Sequence, residues 1–236
     1  MSETAIVTGA SDGIGRSCAA RLAEEYDVLV HYNSDREGAE AAAERVREAG
    51  SDARLHQCDI ADSEAVESMV EAASDLGPVG CLVNNAAVFL ERSIEDVSRE
   101  EVDLQVDVNL KGTIYCTQAV LGHMLDGGGR IVTILSVAGT HGSPTDPVYA
   151  ATKGGVVSLT KSIAKQYASE GIFASAVAPG PTATEMFREG RRPAVREESP
   201  MGRLIRPNEI ADAVRYFATA TGVTGQVLVV DGGNRR

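Results

Sequence analysis

Ala5-Ile-Val-Thr8, followed directly by Gly9-Ala-Ser-Asp-Gly13-Ile-Gly15, is the stretch whose reading decides the fold. Residues 5–8 read as a short buried strand, and residues 16–26 after the glycines carry a helical pattern. Strand, glycine turn and helix in that order is the context a dinucleotide-binding glycine motif requires. The glycines permit a tight turn and let the backbone approach a pyrophosphate, while the helix N-terminus faces that negative charge. The spacing is G-x-x-x-G-x-G rather than the commoner G-x-G-x-x-G, so the turn needs support from the rest of the chain.

That support comes from alternation. Residues 27–32 read as a second strand, 36–49 as an alanine-rich amphipathic helix ended by Gly50, and 53–58 as a third strand ending at Asp59. Ser63 is placed as the N-cap of a helix running to Asp75. Residues 80–84 form a fourth strand with Asn85 at its end, and 99–125 a long helix stopped by Gly127-Gly-Gly129. A fifth strand at 130–136, a helix at 148–169 and a sixth strand at 172–177 follow. Pro179-Gly-Pro181 opens an irregular segment to about 206; Pro207 then starts a helix, and 226–230 is the last strand. The pattern predicts one α/β domain over residues 1–236, a Rossmann-like, doubly wound parallel sheet of about seven strands with helices on both faces. Ligands in such sheets lie beyond the carboxyl ends of the strands. Gly9, Asp59, Asn85, Ser136 and Pro179 all fall there.

One further stretch carries chemistry. Tyr149-Ala-Ala-Thr-Lys153 puts a phenol and an ammonium four apart, on one helix face. On most helices such a pair is merely solvated. Beside a cofactor site it can work, because an ammonium favours the phenolate and lowers the Tyr pKa, letting it exchange a proton near neutral pH.

Composition excludes several classes. The net charge of -12 makes nucleic acid an improbable partner, since binding it needs a basic face. No window approaches a membrane span and no basic-then-apolar leader is present, so a soluble, cytoplasmic protein is expected. Cys18, Cys58, Cys81 and Cys116 are scattered and the histidines do not cluster, so neither a metal site nor a disulfide framework is expected. Lys111, Lys153, Lys161 and Lys165 are the only lysines. An acidic, lysine-poor chain fits either adaptation to high salt or an ordinary acidic enzyme.

The ordered motifs Thr8–Gly15, Asn84-Asn-Ala86, Asn109, Ser136, Tyr149-x-x-x-Lys153, Pro179-Gly180 and Thr224-Gly-Gln-Val-Leu-Val-Val-Asp-Gly-Gly233 resemble those of the short-chain dehydrogenase/reductase family. The resemblance spans nearly the whole chain and is strongest to the 3-oxoacyl-carrier-protein and acetoacetyl-CoA reductases. It implies hydride transfer from a nicotinamide to the carbonyl of a 3-oxoacyl thioester. A sugar or alcohol dehydrogenase is the alternative within the family; a non-catalytic, cofactor-binding regulatory protein is the alternative outside it, disfavoured by the complete catalytic set.

The resemblance assigns roles. Tyr149 is the acid/base, Lys153 lowers its pKa and holds the nicotinamide ribose, Ser136 polarises the carbonyl, and Asn109 holds a water linking Lys153 to solvent. Gly9, Ser11, Asp12, Gly13, Ile14 and Gly15 form the pyrophosphate turn. Asp59 and Ile60 edge the adenine, Asn85 and Ala86 line its ribose side, and Pro179, Gly180, Thr182 and Thr184 meet the carboxamide and phosphates. Residues of about 181–206 form a substrate lid. The family's usual Asn-Asn-Ala-Gly ends here in Ala87, and the segment between Phe217 and Gly225 looks short.

NADPH is the expected coenzyme, with NADH possible. An NAD enzyme puts a carboxylate at the end of the second strand; here Tyr32, Asn33 and Ser34 stand there, with Arg36 one turn on. Asp12, where many NADPH users carry a basic residue, argues the other way. A homotetramer is implied, paired through the long helices and the last strand, with Leu104, Val108, Ile114, Leu159 and Ile163 serving core or interface. A CoA thioester is expected over a carrier protein, because Gly127 and Glu170 replace the basic residues that dock one. Arg188, Arg191, Arg192 and Arg196 on the lid could meet CoA phosphates or pair with neighbouring glutamates.

Overall fold

The computed structural model describes residues 2–184 and 199–234. Seven parallel strands form one sheet in the order β3-β2-β1-β4-β5-β6-β7. They are β1 (Thr4–Val7), β2 (Asp27–Tyr32), β3 (Ala53–Gln57), β4 (Val79–Asn84), β5 (Gly129–Ile134), β6 (Ile172–Pro179) and β7 (Val227–Val230). The strand order reverses between β1 and β4, which leaves a crevice beyond their carboxyl ends.

Helices cover both faces. On one lie α1 (Gly13–Leu22), α2 (Arg36–Glu48) and α8 (Pro207–Thr219); on the other lie α3 (Ser63–Ser74), α5 (Thr113–Met124) and α7 (Pro147–Tyr167). Alternation along β1 shows why the strands must be apolar on both sides. Ala5 and Val7 pack with Leu22 and Val214 of the first layer, while Ile6 packs with Met69 and Val120 of the second. All of these are buried. Truncating such a side chain, Leu82→Ala for example, costs about 2–5 kcal/mol.

Several expectations need correcting. Asp62, not Ser63, caps α3, accepting the N–H groups of Glu64 at 3.0 Å and Ala65 at 3.3 Å. The expected long helix is broken into α4 (Arg99–Val106), a π-helical segment (Asp107–Gly112) and α5. A π-segment inserts one residue per turn and commonly marks a functional site; Asn109 lies inside it. β5 ends at Ile134, and a short helix α6 (Ala138–His141) intervenes before α7. β6 continues to Pro179.

Most of the expected lid, with all four of its arginines, lies outside the described residues. Its two ends are tied together: Ile205 N–H donates to Pro181 at 3.0 Å and Ala183 N–H to Ile205 at 2.8 Å. No described helix is long and apolar enough to cross a membrane.

Candidate active site

A cavity of about 580 Å³ opens at the carboxyl edge of the sheet, running from the glycine turn to Tyr149. At its first end the turn is pinned from both sides. The Thr8 hydroxyl accepts the N–H groups of Asn85 at 2.9 Å and Ala86 at 3.0 Å. The Asn85 amide donates to the carbonyls of Thr8 and Gly9, each at 2.9 Å. From the β2 side, His31 Nδ1 accepts the Gly9 N–H at 3.0 Å.

The glycines are required by this packing. Gly9 has φ +62°, and a Cβ there would meet Ala86 Cα at 2.9 Å; a Cβ on Gly15 would meet the Gly9 carbonyl at 2.2 Å. Asp12, the N-cap of α1, makes no side-chain capping bond. The opening N–H groups of α1 are thereby left to an anion from the cavity. The cradle of bare backbone fits a dinucleotide pyrophosphate.

At the other end α7 presents Tyr149 and Lys153, both buried. Lys153 Nζ donates to the Ile134 carbonyl at 2.9 Å. Ser136, two residues past β5, lines the cavity beside the Tyr149 phenol, and its hydroxyl accepts the Ala138 N–H at 3.2 Å. Phe89 packs edge-on against the Tyr149 ring with centroids 5.0 Å apart, fixing its tilt.

The electrostatics correct one expectation. Lys153 lies 5.7 Å from the Tyr149 ring centroid, yet the phenol is not lowered. Burial and the neighbouring Asp146 carboxylate push it up to about 12, against a smaller lowering by the Ser136 hydroxyl. Burial pulls Lys153 down to about 8. For the chain's own groups alone, Tyr149 therefore stays protonated at neutral pH, the form that donates a proton to an alkoxide.

Asn109 is fully buried, and its carboxamide is occupied. Oδ1 accepts the Val88 N–H and Nδ2 donates to the Val88 carbonyl, each at 2.8 Å. Its side chain braces the segment carrying Val88 and Phe89.

Ser11, Asp12, Gly13, Ile14, Asn33, Ser34, Asp59, Ile60, Asn85, Ala86, Pro179, Gly180, Thr182 and Thr184 all line the cavity, as expected. Tyr32 and Arg36 do not. Tyr32 is buried in the core on the α1–α2 face, because alternation along β2 turns it inward. Arg36 forms an i,i+4 pair with Glu40 at 2.8 Å. Asp35, which the sequence reading passed over, lines the cavity in its place. His31, Val88, Phe89 and Asp146 were also missed. Asp146 had a signal, since it stands three residues before Tyr149 and so on the same helix face.

Three comparisons bear on the site. A family model described as enoyl-(acyl carrier protein) reductase matches residues 9–235. The 3-oxoacyl-[acyl-carrier-protein] reductase FabG of Staphylococcus aureus is 39% identical over 241 residues, covering 99% of this chain and 98% of that protein. Glucose 1-dehydrogenase 2 of Bacillus subtilis is 33% identical over 242 residues, covering 98% of this chain and 94% of that one. Among solved structures, a variant of the actinorhodin polyketide ketoreductase with NADPH superimposes with a TM-score of 0.94 at 35% identity, covering 99% of this chain and 97% of that chain.

Proposed function

The chain belongs to the short-chain dehydrogenase/reductase family of NAD(P)H-dependent oxidoreductases, and from that premise we propose that it reduces a 3-oxoacyl thioester to the 3-hydroxyacyl thioester. The observation that carries this is the joining of Ser136, Tyr149 and Lys153 to the glycine turn in one cavity. A nicotinamide coenzyme bound along that cavity supplies the hydride. Ser136 hydrogen-bonds the carbonyl oxygen and polarises it. Tyr149 gives its proton to the oxygen as the hydride arrives.

NADPH is the preferred coenzyme in this reading, held through Asn33 and Ser34. The preference is small, because Asp12 and Asp35 also line that end and Arg36 is turned to Glu40. CoA thioesters are favoured over a carrier protein: Glu170 and Gly127 are exposed and present no cation. A homotetramer fits the exposed Leu228 and Val229 on the edge strand β7 and Ile114 on α5.

A panel of acetoacetyl-CoA, the same acyl group on a carrier protein, glucose and simple ketones tests the proposal. Reduction of the thioesters with kcat/KM well above the rest is the expected result. Glucose oxidation as the dominant activity would replace it with the sugar-dehydrogenase reading, which the relative at 33% identity supports.

A further inference from the structure

Among the described residues four helices have an aspartate at the N-cap, and they divide into two kinds. Asp35 and Asp62 cap their helices through the side chain, as N-cap aspartates usually do. Asp12 and Asp146 make no side-chain capping bond; both line the cavity, as Asp35 does, but with their carboxylates not spent on a helix cap. Asp12 stands at the coenzyme end. Asp146 stands at the reacting end, three residues before Tyr149.

Asp146 is held with care. It is only 7% exposed. Its Oδ1 accepts the hydroxyls of Ser143 and of Thr145, the latter at 2.7 Å. Oδ2 has no protein partner among the described residues. One oxygen is thus fixed by two donors while the other remains an acceptor. A carboxylate so placed accepts a hydrogen bond from a substrate hydroxyl and repels a substrate carboxylate. A polar group built to pair with a substrate hydroxyl discriminates more strongly than an apolar pocket does.

We propose that Asp146 is a specificity-determining residue, selecting carbonyl compounds with a hydroxyl on the carbon beside the carbonyl and rejecting those with a carboxylate there. This rests on the carbonyl-reduction reading of Ser136, Tyr149 and Lys153, and not on the thioester. The reaction is balanced as before: hydride from the reduced nicotinamide goes to the carbonyl carbon and the Tyr149 proton to its oxygen. An α-hydroxy ketone is reduced to a vicinal diol and the coenzyme is oxidised.

Three methyl ketones of similar size test it: hydroxyacetone, 2-butanone and pyruvate, with acetoacetyl-CoA alongside, on the parent and on Asp146→Asn and Asp146→Leu. The parent should favour hydroxyacetone over 2-butanone by about tenfold or more in kcat/KM and barely use pyruvate. Asp146→Leu should bring the first ratio near one. Asp146→Asn, which keeps an acceptor for Ser143 and Thr145, should raise pyruvate turnover about tenfold. Unchanged coenzyme affinity shows that the variants are folded. Equal use of hydroxyacetone and 2-butanone by the parent, or ratios the variants leave alone, overturns the proposal. Thioester reduction without any of the three ketones sinks it while sparing the thioester reading. The reverse pattern sinks that reading and spares this one. If nothing is reduced, both fall.

Discussion

His31 Nδ1 accepts the Gly9 N–H at 3.0 Å while its Nε2 faces the Cys58 carbonyl at 3.0 Å. Only the neutral ring with its proton on Nε2 satisfies both partners. Protonation would point an N–H at the Gly9 N–H and release the glycine turn from β2.

The first prediction is acid sensitivity of the fold around the glycine turn. Burial pulls His31 down from 6.5 to about 4, with His56 also lowering it and the Cys58 carbonyl and Asp59 opposing. The folded state therefore binds fewer protons than the unfolded chain between those values. Stability from the neutral ring is complete above pH 6.5 and is lost as pH falls toward 4, by on the order of 3 kcal/mol. Scanning calorimetry should show Tm falling as pH drops from 6.5 to 4.5. His31→Asn, which keeps an acceptor but cannot titrate, should flatten that fall. Parallel curves for the two proteins would remove His31 from the account.

Tyr149→Phe should lower kcat about 10²–10⁴-fold while coenzyme Kd stays within about twofold. Only the hydroxyl is lost, and the ring still packs against Phe89. Turnover within a few-fold of the parent would mean that another group supplies the proton.

Asn109→Ala should damage stability and turnover together. The change leaves the Val88 N–H and carbonyl unpaired, each costing about 1–3 kcal/mol. Val88 and Phe89 line the cavity, and Phe89 sets the Tyr149 ring. A lowered Tm with kcat intact would show that this brace does not position Tyr149.

The coenzyme end offers a charge reversal. Asp12 is paired with Arg16 only at 3.7 Å, so its carboxylate faces the cavity largely uncompensated. Asp12→Arg should raise the ratio of kcat/KM for NADPH over NADH by about tenfold, since a 2′-phosphate gains a cation and loses an anion. A ratio unmoved by the reversal would place the 2′ group elsewhere, beside Asn33 and Ser34 alone.

The sheet was legible because each strand is short, apolar on both sides and followed by a helix, and that pattern needs no tertiary information. The motif-bearing residues were legible for the same reason: Gly9, Asn85, Ser136 and Pro179 each sit at or just beyond a strand end. What escaped depends on contacts between distant segments. The π-turn at Asn109 exists to reach Val88, 21 residues earlier. His31 alternates into the sheet like any strand residue, and only folding brings Gly9 to its ring. Arg36 is a local case: its i,i+4 spacing to Glu40 was legible, and that pairing turns it away from the coenzyme end.

Salt dependence tests the surface as a whole. A net charge of -12 works against the compact state through self-repulsion. The range of that repulsion shrinks from about 10 Å at 0.1 M salt to about 3 Å at 1 M. The same screening weakens ion pairs, and α8 is joined to α1 and the turn after it by Arg21 with Asp212 at 2.8 Å and Arg215 with Glu24 at 3.0 Å. Exposed pairs of this kind are worth about 0–1 kcal/mol each. Their loss is local and small, whereas the repulsion acts on every carboxylate, so relief of repulsion should win. Tm and kcat should rise together from 0.1 M to above 1 M KCl. Potassium chloride is the salt to use, because sulfate would strengthen apolar burial by itself. A Tm that falls steadily with KCl would mean the ion pairs dominate and the acidic surface is an ordinary one.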